Sequence, residues 1–233
     1  NKGVKGEINI SGAKNSCLPL MAASILFKKK VILRNAPFVK DVLTMKDLLI
    51  SLVSKVELIK EKKIIKITNN KKHKLIVPYN LVSTMRAGVL TMGPLLARYP
   101  KSKIKVALGG GCALGIRDTS WHLSGFKSLG ADHTLNRGYV NISSKNGLKG
   151  NKFKFPKVTV TGSSNLIMAS VLIKGEHIIK NISIEPEVKD LIKFLNNSGA
   201  KIKFLKKSSD VYLFDDGILD CCIADFKKPG RNK

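Results

Sequence analysis

Acidic and aromatic residues are both scarce in this chain. Against 42 Lys and Arg there are only 16 Asp and Glu, a formal net charge of +26, and Phe, Trp and Tyr together make up 6% of the 233 residues. Such a charge admits nucleic acid, a membrane surface or small anionic substrates as partners. Aromatic side chains are not interleaved with the basic clusters, however, so the stacking platforms that single strands require are missing and nucleic acid is disfavoured. Arginine is rare as well, confined to Arg34, Arg86, Arg98, Arg117, Arg137 and Arg231; the basic excess is almost all lysine. No apolar run approaches the ~18 to 20 residues of a membrane span. No secretory apolar region follows the first residues. The sequence therefore predicts a soluble, cytoplasmic protein without membrane contact. The four cysteines, Cys17, Cys112, Cys221 and Cys222, lack zinc-ligand spacing, and an adjacent pair is no disulfide framework. A reducing compartment fits them, and neither a metal nor a cofactor is expected.

Glycine, by contrast, is concentrated in one stretch, Leu108-Gly109-Gly110-Gly111-Cys112-Ala113-Leu114-Gly115-Ile116-Arg117. Glycines in a row cost backbone entropy and belong where a chain must move or approach something closely. Successive backbone N–H groups in such a turn can also cradle an anion. Two readings stand side by side: a mobile loop carrying a cysteine nucleophile or acid beside an anion-binding arginine, or a glycine hairpin with a chance thiol.

Around that stretch the pattern alternates strands and helices. Strands are predicted over 1–10, 30–33, 56–59, 64–68, 74–77, 104–108, 132–135, 139–142, 177–179, 200–205 and 211–214, with 153–160 extended. Helices are predicted over 18–27, from Asp41 to about residue 53, over 82–96, 118–129 and 186–196, and over 166–173 after a turn at Gly162. The order repeats. Ala22-Ala23-Ser24-Ile25-Leu26 followed by Val31-Ile32-Leu33-Arg34-Asn35 matches Met168-Ala169-Ser170-Val171-Leu172 followed by His177-Ile178-Ile179-Lys180-Asn181, at the same separation. Helices with acidic starts at Asp41, Asp118 and Asp190 are each followed by paired strands. The chain thus reads as three βαβαββ-like units of roughly 70 residues, packed as one α/β domain.

Five motifs occur together and in order: Ser11-Gly12-Ala13-Lys14-Asn15, Met85-Arg86-Ala87, Gly93-Pro94-Leu95-Leu96-Ala97-Arg98, Gly110-Gly111-Cys112-Ala113-Leu114-Gly115 and Glu185-Pro186-Glu187. In this the chain closely resembles the enolpyruvyl transferases, and among them the UDP-N-acetylglucosamine 1-carboxyvinyltransferases that open peptidoglycan synthesis. The resemblance implies one domain of a two-domain, inside-out α/β barrel fold with the active site in the cleft between the halves. It implies that residues 1–10 form a strand of an absent second domain and that 11–225 form the three-repeat domain with the cysteine loop. Residues 226–233 then read as a basic tail where the crossover breaks off, as truncation or a frameshift would leave it. A second domain or chain is expected to complete the cleft.

The reaction implied adds the sugar 3-hydroxyl to C2 of phosphoenolpyruvate and then expels phosphate. It needs cations for phosphate and carboxylate, an acid for the methylene carbon and a base for the hydroxyl. By resemblance Cys112 is the proton-donating loop thiol, Lys14 and Arg117 act on phosphoenolpyruvate, and Asn15 and Arg86 bind substrate. The segments Asp118-Thr119-Ser120-Trp121-His122 and Lys157-Val158-Thr159-Val160 map to the UDP-sugar site. A thiol near Arg117 and Lys14 would have its anion favoured; Cys17 reads as a core residue of the first helix. His122 is open between a binding and a structural role, and Glu185 and Glu187 between orienting neighbours and charging a helix start. Departures from the family pattern are Asp118 and Ser120, where proline and aspartate are usual, and Gly109 in place of proline. Asp118 would weaken uridine binding. A non-catalytic remnant with a decayed site is the competing reading.

Overall fold

The computed structural model describes residues 11–52, 54–69, 72–83, 85–108, 119–205, 209–215, 219 and 222–225, without the side chains of 86, 214, 215 and 222–225. The expected strand over 1–10 and the tail over 226–233 lie outside these residues. The first unit contains α1 (Lys14–Ala23), β1 (Val31–Arg34), α2 (Lys40–Ser51), β2 (Ser54–Ile59) and β3 (Ile64–Asn69). The second contains β4 (Ile76–Val77), α3 (Tyr79–Val82), α4 (Met92–Arg98), β5 (Ile104–Ala107), α5 (Ser120–Ser128), β6 (Asp132–Asn136) and β7 (Tyr139–Ser143). The third contains β8 (Lys152–Lys154), α6 (Val160–Ser170), β9 (Gly175–Lys180), α7 (Pro186–Asn196), β10 (Ile202–Phe204) and β11 (Val211–Asp215); β12 (Cys222–Asp225) follows.

Each unit builds a four-stranded sheet of one plan: β4-β5-β7-β6, β8-β9-β11-β10 and β12-β1-β3-β2. In each, the first pair is parallel and the rest antiparallel. The parallel pair needs a crossover, and α4 and α6 supply it. In the first sheet the leading strand comes from the far end of the chain: β12 pairs in parallel with β1, from Val31↔Cys222 to Arg34↔Asp225. The three units are therefore closed into a ring by β12, an element the sequence reading did not foresee. Only Ile223 and Ala224 beside two cysteines marked it, too short an apolar run to read as a strand.

The helices are inside and the sheets outside. Burial alternates along β3, with Ile65 and Ile67 at 0% exposure and Ile64 and Lys66 partly open, so each sheet turns one face inward and one to water. By contrast α6 is buried along nearly its whole length, from Gly162 to Ser170, and α1 from Ser16 to Ala23. A helix apolar or small all round belongs at the centre of a fold. The flanking helices α2 and α7 bury one stripe only, Val42, Met45, Leu48 and Leu49 in the first and Val188, Leu191, Ile192, Phe194 and Leu195 in the second.

Several element boundaries differ from expectation. The first helix starts at Lys14 rather than residue 18, so Pro19 lies inside it and Lys14 and Asn15 sit on its first turn instead of in a preceding loop. The helix expected over 82–96 is three pieces, α3, a 3-10 turn over Arg86–Thr91, and α4. Thr91 donates its hydroxyl to the Gly88 carbonyl at 2.7 Å, a local alternative to the helical ladder. The segment expected to stay extended to residue 160 and turn at Gly162 enters α6 at Val160. Thr159 caps that helix, its Oγ1 accepting from the Gly162 N–H at 3.2 Å. The matched asparagines Asn35 and Asn181, with φ of 55° and 57°, end β1 and β9 in the left-handed region. Asparagine tolerates that conformation best among residues with a Cβ, so the repeat seen in the sequence is a repeat of backbone shape.

Candidate functional site

The strand pattern fixes where the helices begin. An inner helix that links two parallel strands runs antiparallel to them, so its first turn lies at the end where the strands finish. The next helix starts from that same end because it follows the second strand. The N-termini of α1, α2, α4, α5, α6 and α7 thus share one face of the molecule, and hydrogen bonds tie them together. Gly12 N–H donates to the Asn35 carbonyl at 3.0 Å, and Lys14 Nζ meets Asp41 Oδ2 at 2.9 Å, linking α1 to α2. Ser16 Oγ donates to Asp190 Oδ2 at 2.6 Å, linking α1 to α7.

The residues singled out from the sequence collect on this face wherever they are described. Lys14 and Asn15 are exposed on the first turn of α1. Arg86 opens the 3-10 turn that precedes α4, and that turn packs on α1 and α6. Thr119 immediately precedes α5, and Ser120, Trp121 and His122 form its first turn. Lys157 and Val158 are exposed just before α6, Thr159 caps it and Val160 begins it. Cys112, Arg117 and Asp118 lie outside the described residues, in a segment whose two ends, after β5 and before α5, are both on this face.

His122 is 4% exposed and holds α5 against α6. Asn165 orients it. Gly93 N–H donates to Asn165 Oδ1 at 2.8 Å, which fixes the amide, and Nδ2 then donates to the Val89 carbonyl and to His122 Nδ1, both at 2.9 Å. An Nδ1 that accepts leaves the proton on Nε2, which faces Thr161 Oγ1 at 3.3 Å. Of the two roles open to this histidine, the surroundings describe the structural one. Cys17 is at 0% exposure and burial pushes its thiol up to about 12, so it is no thiolate at neutral pH.

Chemically the face suits anions. Several helix N-termini turn the positive partial charge of their first peptide groups toward it. Lys14 adds a compact ammonium of the kind that binds phosphate oxygens, and Asp41 holds that ammonium over the start of α1. Asp41, Asp190 and Asn165 are the residues sequence reasoning passed over as site components. The first two read as acidic helix starts, which holds for Asp41 but not for Asp190, the fifth residue of α7; the partners of neither were visible. Among the described residues no His, Cys, Asp and Glu cluster could hold a metal ion, and no helix is long and apolar enough to cross a membrane.

Comparison with known proteins gives the fold and the face a context. The sequence pattern described as EPSP synthase (3-phosphoshikimate 1-carboxyvinyltransferase) matches residues 1–213. A protein of Pelagibacter ubique named UDP-N-acetylglucosamine 1-carboxyvinyltransferase is 48% identical over 204 residues, 88% of this chain and 48% of its own length. One of the same name from Coxiella burnetii is 44% identical over 199 residues, 85% of this chain and 45% of its own. The chain spans about half the length of these curated relatives. Among solved structures, the enolpyruvyl transferase NikO from Streptomyces tendae superposes with a TM-score of 0.82 at 13% identity, covering 95% of this chain and 52% of that one. The chain belongs to the EPSP synthase (3-phosphoshikimate 1-carboxyvinyltransferase) family of enolpyruvyl transferases.

Proposed function

We propose that this chain is one half of a transferase that moves the enolpyruvyl group of phosphoenolpyruvate to the 3-hydroxyl of UDP-N-acetylglucosamine, a step of peptidoglycan synthesis. The observation that carries the choice of acceptor is the 48% identity to a relative named for it; the family pattern is named for a shikimate acceptor, and the likeness to NikO, at 13% identity, says nothing of substrate. Shared clustering of Lys14, Asn15, Thr119 to His122 and Lys157 to Val160 beside an anion-suited face supports the same reading.

In this reading the sugar hydroxyl oxygen bonds to C2 of phosphoenolpyruvate while a base takes its proton, and the Cys112 thiol protonates C3. Loss of a proton from C3 then restores the double bond as the C2–O bond to phosphate breaks. Lys14, Arg86 and Arg117 counter the phosphate and carboxylate charge, which is where most of the barrier lowering arises. Thr119, Ser120 and Trp121, with Lys157 to Val160, hold the UDP-sugar at the starts of α5 and α6, and His122 keeps those starts aligned. Residues 11–225 form the three-repeat domain of the enzyme, and a second domain or chain supplies the base and the remaining arginines. The 233-residue chain alone is therefore expected to turn over weakly.

The test is phosphate release by the intact gene product given phosphoenolpyruvate with either UDP-N-acetylglucosamine or 3-phosphoshikimate. Release with the nucleotide sugar, lost in Cys112→Ser, is the expected result. Release with 3-phosphoshikimate only would overturn the choice of acceptor, and an inert intact product would favour the decayed remnant.

A further inference from the structure

The outer face of the second sheet carries a groove of about 470 Å³ lined by Ile76, Lys103, Lys105, Asn136, Arg137 and Asn141. It opens on the water-facing side of the strands and not among the inner helices, although its Arg137 end lies at the C-terminal end of β5, the end from which the helices start. The register explains its make-up: Ile76, Lys105 and Asn141 are cross-strand partners in one row, and Arg137 sits at the hairpin turn between β6 and β7, beyond the pair Asn136↔Tyr139. Because Tyr139 pairs with Ala107, the hairpin tip lies at the far end of β5 from Lys103. The groove therefore runs lengthwise along β5, with one cation near each end and one in the middle, a span of roughly 15 Å at ~3.3 Å per residue.

Three cations in one groove repel one another, and nothing in the sheet offsets them. Its strands contain a single acid, Asp132, paired across to Ser143 at the other end of β6. No ion pair joins it to the three cations among the described residues. The other two outer faces differ. In the first sheet Lys55 pairs with Glu57 at 2.9 Å, and in the third Glu176 accepts a hydrogen bond from Tyr212. In the second sheet the central ammonium is instead held in place by an aromatic ring, Lys105 Nζ lying 4.3 Å from the Tyr139 ring centroid. Asn136 and Asn141 add amide donors between the charges. Cations spaced along a line, amides between them and no competing carboxylate match a chain of phosphates better than one compact anion. An arginine fork at one end is suited to a terminal phosphate.

We propose that this groove is a second binding site, for the phosphate chain of a small polyphosphorylated anion. Inorganic polyphosphates and nucleoside di- or triphosphates share that chemistry. Isothermal titration of the 233-residue protein with orthophosphate, tripolyphosphate and ADP tests it. Tripolyphosphate is expected to bind at least tenfold more tightly than orthophosphate. The double variant K105Q/R137Q is expected to weaken tripolyphosphate by about a hundredfold, as two charge-assisted hydrogen bonds of ~1.5 kcal/mol each require. The control K152Q/K154Q removes equal charge from the third sheet and is expected to change binding less than twofold. These side chains lie at the surface, so an unchanged melting temperature shows that both variants fold. ADP binding as tight as tripolyphosphate, or tighter, identifies a nucleotide as the ligand; weaker ADP binding identifies the inorganic chain. Equal losses in the two double variants would reduce the groove to diffuse charge and overturn the proposal. So would equal affinity for orthophosphate and tripolyphosphate, or retention of an oligonucleotide with no response to tripolyphosphate.

Discussion

Buried polar side chains do the most specific work at the scale of single residues. His73 is 3% exposed, and its neighbours assign its proton. Nε2 donates to Asn69 Oδ1 at 3.1 Å, Nδ1 accepts from the Tyr99 hydroxyl at 2.8 Å, and that hydroxyl accepts from the His73 backbone N–H at 3.1 Å. Asn69 in turn donates to the Ser24 and Phe27 carbonyls, and Arg98 donates to Ile25 and Phe27 nearby. Burial first and the Arg98 charge second push this histidine down to about 4. An unfolded histidine titrates near 6.5, so the native state binds its proton less readily. The stability tied to neutral His73 is complete above about pH 6.5 and is lost as pH falls toward about 4. A loss of about 2 kcal/mol between pH 7 and pH 5 is expected, read as a falling urea midpoint. His73→Gln should flatten most of that slope, and a variant with the full slope would contradict the assignment. None of this network was legible in the sequence, because its members are far apart along the chain and look like ordinary loop and strand polar residues. Cys17 was legible, since its apolar neighbours in the chain already marked a core position.

At the scale of elements, the tightest constraint is where α4 meets α6. A side chain at Gly93 would run into the Asn165 backbone carbonyl and crowd Asn165 Oδ1, and backbone cannot swing aside as a side-chain tip can. Gly93→Ala is expected to cost about 2 to 4 kcal/mol by chemical denaturation, through overpacking and a strained Gly93–Asn165 hydrogen bond. Gly125→Ala is the comparison, because the added methyl meets only the side chain of Leu166 at 3.0 Å; its loss should be clearly smaller. Equal losses would mean that the α4–α6 approach is not the constraint. This contact also explains why periodicity misled over 82–96. The apolar spacing there is helical, yet Gly88, Gly93 and Pro94 break the ladder, and the real helices are short pieces fixed by their neighbours. Likewise the start of α6 was misplaced because Gly162 reads as a turn, whereas it occupies a crowded first turn under the Thr159 side chain.

Over the whole molecule, the threefold plan was legible and its closure was not. Two similar segments announced the units, and each unit became one sheet of the same strand order. Of the three acidic helix starts read from the sequence, Asp41 lies in a first turn, whereas Asp190 is the fifth residue of α7, α5 has no acid in its first turn, and Asp118 lies outside the described residues. The closing strand β12 depends on a contact between the two ends of the described chain, which local patterns do not encode. Gathering of the site followed from the plan, since parallel pairing sends every helix start to one face. Lys14, Asn15, Thr119 to His122 and Lys157 to Val160 are far apart in sequence and share one face only through that topology. The central claim, that this face binds the nucleotide sugar, is tested most directly by mapping backbone amide shifts of the isotopically labelled 233-residue protein on titration with UDP-N-acetylglucosamine. Saturable shifts at Asn15, Thr119 to His122 and Val158 to Val160, with little change at Lys152 to Lys154, are expected. Shifts confined to the outer strands, or none at millimolar ligand, would contradict it.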